Sequence, residues 1–67
     1  MRIMERVGRN VRRLRRQRGW TQRVLAARIG TGQVYVAQCE AATKEMSLEM
    51  LARFAKALRV KTCRLLD

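Results

Sequence analysis

Eight arginines lie between Met1 and Arg18 against a single acid, Glu5, so this short stretch holds seven of the chain's eleven net positive charges. A guanidinium presents five N–H donors in a fixed fork that matches the oxygens of a phosphate. Phosphate binding is therefore the first chemistry on offer. An isoelectric point near 11.7 puts nucleic acid and an anionic membrane surface ahead of other partners. Histidine is absent, which excludes imidazole acid–base chemistry, Ser-His triads and His-containing metal sites. The two cysteines, Cys39 and Cys63, form no C-x-x-C clip and no disulfide framework, and they are expected as small core residues in a reducing compartment. The chain is not expected to be an enzyme, nor to need a cofactor or a metal.

Helices must position these groups. Proline is absent and glycine appears four times in 67 residues, while 48% hydrophobic residues are enough for one small core, so the expectation is a single all-α domain of five helices over residues 1–67. Ile3, Val7, Val11 and Leu14 recur at helical steps and predict a first helix with one buried stripe. Arg2, Arg6, Arg9, Arg13 and Arg16 form a second stripe about 100° round it, which as a plain solvated face needs no partner. Gly19 is placed to end that helix and Thr21 to cap a second, from about Gln22 to Ile29, buried through Leu25, Ala26 and Ile29. Gly30 to Gly32 forms a tight turn. A third helix follows from about Gln33 to Ala41, with Val36, Cys39 and Glu40 inward and Gln33, Val34, Ala37 and Gln38 facing elsewhere. Ser47 caps a fourth helix that runs to about Leu58 and buries Leu48, Leu51, Phe54, Ala55 and Leu58. A short fifth helix, Thr62 to Leu66, is pinned by Val60, Leu65 and Leu66. No apolar run is long enough to span a membrane and no signal-peptide segment opens the chain, so a soluble, cytoplasmic protein is expected.

Two short helices around a Gly-containing turn are the helix-turn-helix arrangement, here over about residues 21–41. The stretch from Thr21-Gln22 through Leu25-Ala26, Gly30, Gln33 and Glu40, followed by Ser47-Leu48-Glu49 and Ala55-Lys56-Ala57-Leu58, resembles the Cro/repressor, or XRE-type, family of DNA-binding domains. The resemblance covers nearly the whole chain and implies a lambda-repressor-like fold whose third helix reads the major groove of double-stranded DNA. It implies base-reading positions at Gln33, Val34, Ala37 and Gln38, of which a glutamine can pair with adenine in a bidentate contact and Val34 can touch a thymine methyl. It implies phosphate contacts from Gln22, Arg15, Gly32, Thr43 and Lys44, with Gln22 also bracing the start of the reading helix. Arg15 and Glu40 match a pair that bridges the first and third helices. Their residue types alone leave two separate surface charges as the other possibility.

Several positions depart from the family pattern. Thr31 replaces an aliphatic residue, and Gly32 replaces the Ser or Thr that caps the third helix. Ala42 stands where glycine commonly ends that helix, so either alanine is strained there or the loop takes another path. Lys44-Glu45-Met46-Ser47 is weakly similar to restriction-modification controller proteins. Tyr35 is equally compatible with a core and a phosphate-facing place. Trp20 is expected to cover the junction of the first two helices, and Met1, Met4, Met46 and Met50 to fill gaps.

The sequence thus points to a sequence-specific transcriptional regulator acting as a homodimer on a palindromic site, paired through Arg59 to Leu66, with no room for an effector domain before Asp67. The alternative is a non-specific module for DNA or RNA dominated by the arginine stripe. An interfacial membrane helix ranks last, since the apolar stripe of the first helix is needed for the core.

Overall fold

The computed structural model describes residues 2–67 and consists of five helices: α1 (Arg2–Gln17), α2 (Gln22–Ile29), α3 (Gln33–Glu40), α4 (Leu48–Leu58) and α5 (Thr62–Leu66). Met1 lies outside the described residues. Among these residues no helix is long and apolar enough to cross a membrane. The order and bounds follow from local chemistry. Thr21 and Ser47 sit in extended backbone, and their hydroxyls accept from the N–H groups of Val24 and Met50 at 3.1 Å, each satisfying one orphan donor of a first turn. Gly32 opens α3 without any side-chain cap.

Four helices end by one device. Gly19, Gly30, Ala42 and Arg59 all take positive φ, at 71°, 78°, 60° and 59°. The N–H of the residue after each donates back five positions, Trp20 to Arg15, Thr31 to Ala26, Thr43 to Gln38 and Val60 to Ala55. This is the bond pattern of a Schellman loop. Ala42 therefore keeps the path that glycine would take, and of the two possibilities raised by the sequence the structure shows strain rather than a rerouted loop. The third helix stops at Glu40, with Ala41 as its cap.

The core is one cluster. α1 contributes Val7, Val11 and Leu14, α2 Leu25, Ala26 and Ile29, α3 Val36 and Cys39, α4 Leu51, Phe54, Ala55 and Leu58, and α5 Leu65. α1 is the spine, touching α3, α4 and α5, while α2 packs on α3 and α4. Met4, Met46, Met50, Val60 and Leu66 are half-buried against the cluster, as gap-fillers should be.

Three apolar positions depart from expectation. Ile3 is 50% exposed and Leu48 84% exposed, because each lies in the first turn of its helix, where the stripe continues but no neighbour reaches. Cys63 is exposed whereas Cys39 is buried. In a helix as short as α5, the packing falls to Leu65 and Leu66, and the position two residues before Leu65 points outward. The arginine stripe also sits farther round α1 than expected. The burial of Val7, Gly8, Val11, Leu14 and Arg15 centres the inward face so that the stripe lies on the opposite, solvent side.

Gly8 has no counterpart in the periodicity argument. A Cβ there would stand 2.6 Å from the backbone oxygens of both Cys39 and Glu40, so α1 and the end of α3 approach backbone to backbone. Glycine inside a helix costs roughly 1 kcal/mol relative to alanine. Here it permits a contact that no other residue allows.

Candidate nucleic-acid interface

Glu40, the last residue of α3, is the centre from which this face is built. Its side chain is fully buried, and Arg15 forms a two-pronged ion pair with it, Nε to Oε2 at 2.6 Å and Nη2 to Oε1 at 3.1 Å. Arg12 Nε approaches Oε1 at 3.4 Å and Gln22 Nε2 donates to the same oxygen at 3.1 Å. Arg15 Nη1 donates to the Trp20 carbonyl at 2.7 Å. One carboxylate thereby ties α3 to α1, to α2 and to the junction between them. Burial pushes the Glu40 carboxyl up, but the hydrogen bonds from Arg15 and Gln22, the Arg15 charge and the Arg12 contact outweigh it and hold the group below its ordinary value. It is ionised at neutral pH, and no buried side-chain polar atom among the described residues lacks a partner.

With the inner face of α3 held in this way, its outer face is open. Gln33, Val34 and Gln38 are exposed and Ala37 half-buried. Together with Ala41 and Thr43 they line one shallow concavity. Val34 is 70% exposed and presents an apolar surface within this polar face. The Thr43 hydroxyl donates to the Gln38 carbonyl at 3.3 Å, holding the following loop against the end of the helix. The Lys44 ammonium lies 5.9 Å over the Tyr35 ring, and that ring stacks at 6.5 Å on Phe54. Tyr35 is thus half-buried and packed against the core, with the loop's Lys44 over its ring. Burial, and then a hydrogen bond with Cys39, push its phenol up to about 12. Trp20 is half-buried beside the α1–α2 junction, with the Arg28 guanidinium 4.1 Å over its ring.

Two of the positions that the resemblance assigns to phosphate have partners inside the domain. Every nitrogen of Arg15 is engaged there, with Glu40 and with the Trp20 carbonyl. Gln22 donates to Glu40 at the end of α3 and is half-buried. Gly32, Thr43 and Lys44 are exposed around the concavity, where the backbone N–H groups of the uncapped first turn of α3 are also free to meet an anion.

Sequence reasoning passed over four residues that shape this face. Gly8 sets the α1–α3 approach. Arg12 adds the third partner of Glu40. Asn10 Nδ2 donates to the Leu65 carbonyl at 3.0 Å, and Arg18 donates to the carbonyls of Leu14 and Leu58, which fasten α5 and the end of α4 to α1. Only Gly8, a glycine in the interior of a predicted helix, is a signal visible in the sequence.

A family model described as Helix-turn-helix, HTH_3, matches residues 11–65. The chain belongs to the XRE-type helix-turn-helix family. Solved structures agree with that assignment. A hypothetical transcription factor, NHTF, from Neisseria is 29% identical with a TM-score of 0.93, over 97% of this chain and 75% of its own. The restriction-modification controller protein C.AhdI from Aeromonas hydrophila is 28% identical with a TM-score of 0.91, over 97% of this chain and 98% of its own. The clp gene regulator ClgR from C. glutamicum is 31% identical with a TM-score of 0.89, over 96% of this chain and 83% of its own. No curated protein sequence matches the chain. Membership of the XRE-type family places the chain among DNA-binding transcription regulators.

Proposed function

We propose that the chain is a sequence-specific regulator that inserts α3 into the major groove of double-stranded DNA and acts as a two-fold dimer on a palindromic site. The observation that carries this reading is the contrast between the two faces of α3. Its inner face is fixed by the Glu40 hub and the Gly8 contact, and its outer face offers Gln33, Val34, Ala37 and Gln38 with no ion pair to displace. A glutamine amide donates and accepts together, which suits N7 and N6 of adenine, and a valine suits a thymine methyl. Thr43, Lys44 and the open first turn of α3 at Gly32 supply phosphate contacts that set the depth of the helix without selecting sequence. One short helix reaches only a few base pairs, so a usable site needs two copies about one helical turn apart.

The second reading is a non-specific polyanion module, favoured by the exposed arginines of α1. Selection of bound sequences from a random duplex library separates the two. The α3 reading expects a palindromic consensus, and it expects Gln33→Ala to lose preference at one position of each half-site, about 1–3 kcal/mol of discrimination. Lys44→Ala should weaken all sequences alike and lower the salt slope by about one. A library that returns no consensus would hand the function to the second reading.

A further inference from the structure

Arg2, Arg6, Arg9, Arg13 and Arg16 are all exposed, and none of them has an ion-pair partner among the described residues. They follow one another at steps of four and three on the side of α1 turned away from Val7, Val11 and Leu14. At 1.5 Å per residue they form a straight file about 21 Å long. Arg12 and Gln17 run alongside, so that Arg9, Arg13 and Arg16 share an open groove with them. No residue of α1 lines the concavity over α3, and the two surfaces are separate. Like charges at these spacings repel one another and weaken a helix, so the file gives nothing to folding.

We propose that this file is a second, sequence-independent DNA-backbone site, which holds a second duplex while α3 engages the first. The inference goes beyond the proposed function and rests on it only for the first site. Charge complementarity selects the occupant. A duplex is a stiff rod with its phosphates outward, at about 3.4 Å of axis per phosphate on each strand, so the file spans about six phosphate steps. A single strand is held by stacking bases on aromatic rings, but Phe54 is buried and Trp20 and Tyr35 pack against the core, leaving no ring beside the file. A membrane surface takes an amphipathic helix by its apolar face, and beyond Ile3 in its first turn the apolar face of α1, Val7, Val11 and Leu14, is closed inside the domain.

Donor-labelled and acceptor-labelled duplexes of about 30 base pairs, mixed with the full chain at about 50 mM salt where backbone contacts are strong, test this directly. Energy transfer reads bridging, and anisotropy of one duplex alone reads the first site. The wild-type chain should bring the labels together. R2Q/R6Q/R9Q/R13Q/R16Q should bind one duplex and lose at least about tenfold of the bridging signal; glutamine is close to arginine in helix propensity, so the helix is retained. If circular dichroism shows that variant unfolded, R2Q/R9Q/R16Q replaces it, with about a threefold loss expected. Bridging that persists in a folded variant would mean that the reading helices of a dimer hold both duplexes, and it overturns the proposal. So does a wild-type chain that saturates one duplex without energy transfer, or a single-stranded RNA that competes better than unlabelled duplex. Loss of anisotropy itself would instead strike the α3 reading.

Discussion

Glu40 accepts from Arg12 and Arg15 on α1 and from Gln22 on α2, so one carboxylate settles how α3 sits on its two neighbours. Because its folded pKa lies below its ordinary value of 4.5, its contribution to stability is complete above that value and is lost as pH falls through the lower, folded one. Denaturant titrations from pH 6 downward should therefore show the wild type weakening below about pH 4.5, with Glu40→Gln lacking that share of the acid sensitivity. Equal acid slopes for the two proteins would show that the pair is not coupled to folding. At neutral pH either single change leaves a buried partner unmet and should lose about 3–5 kcal/mol, a large part of what so small a domain has. A cycle of Arg15→Met with Glu40→Gln should give a coupling above about 0.5 kcal/mol, and additive losses would exclude it.

At the scale of elements, two positions respond in opposite directions to the presence of a Cβ. Gly8 meets the backbone oxygens of Cys39 and Glu40, so Gly8→Ala must push α1 and α3 apart. It should cost about 1–3 kcal/mol, as overpacking does, although alanine is the better helix former. Ala42 is the reverse case: it already has a Cβ and sits at φ 60°. Left-handed backbone costs a residue with a Cβ about 1–2 kcal/mol, partly offset by the greater chain entropy of glycine. Ala42→Gly should therefore stabilise by about 0.5 kcal/mol, a rise of about 2–4 °C in melting temperature for a domain of this size. A tolerated Gly8→Ala would mean that the helices are not in backbone contact, and a destabilising Ala42→Gly would mean that the Schellman loop ending α3 is not formed.

For the whole molecule, the strength of the proposed dimer turns on charge. The region from Arg59 to Leu66 carries Arg59, Lys61 and Arg64 on its surface, charges that repel across an interface in which each patch meets its own copy. Asp67 lies 3.7 Å from Arg64, which meets one of the three, and Leu66 is half-buried at the edge of the same surface. The proposed dimer is accordingly weak alone and completed on DNA, where phosphates neutralise what remains. Sedimentation at micromolar protein should give mostly monomer without DNA and two chains on a palindromic duplex. Strict one-to-one binding on a duplex with two half-sites would defeat the two-fold reading.

Periodicity and caps determined the helices by themselves. Thr21, Ser47, Gly19 and Gly30 act within one turn of their own position, and Val7, Val11, Leu25, Phe54 and Leu58 bury as their spacing requires. The outer face of α3, on which the proposed reading rests, was legible in the same way, because the exposed positions of α3 are those left over once Val36, Cys39 and Glu40 turn inward. What the sequence left undecided depended on neighbours from distant parts of the chain. Ile3, Leu48 and Cys63 sit on apolar or small-residue positions of a helix where no second element arrives. Whether Arg15 and Glu40 would pair or remain two surface charges was settled by the separation of α1 and α3, which Gly8 allows to close to backbone contact. That same contact encloses Arg15 in its pair with Glu40, whereas Arg2, Arg6, Arg9, Arg13 and Arg16 on the opposite side of α1 have no ion-pair partner among the described residues. Spacing along one helix fixes which residues share a face, whereas the partner of each face is fixed only when the other helices pack against it.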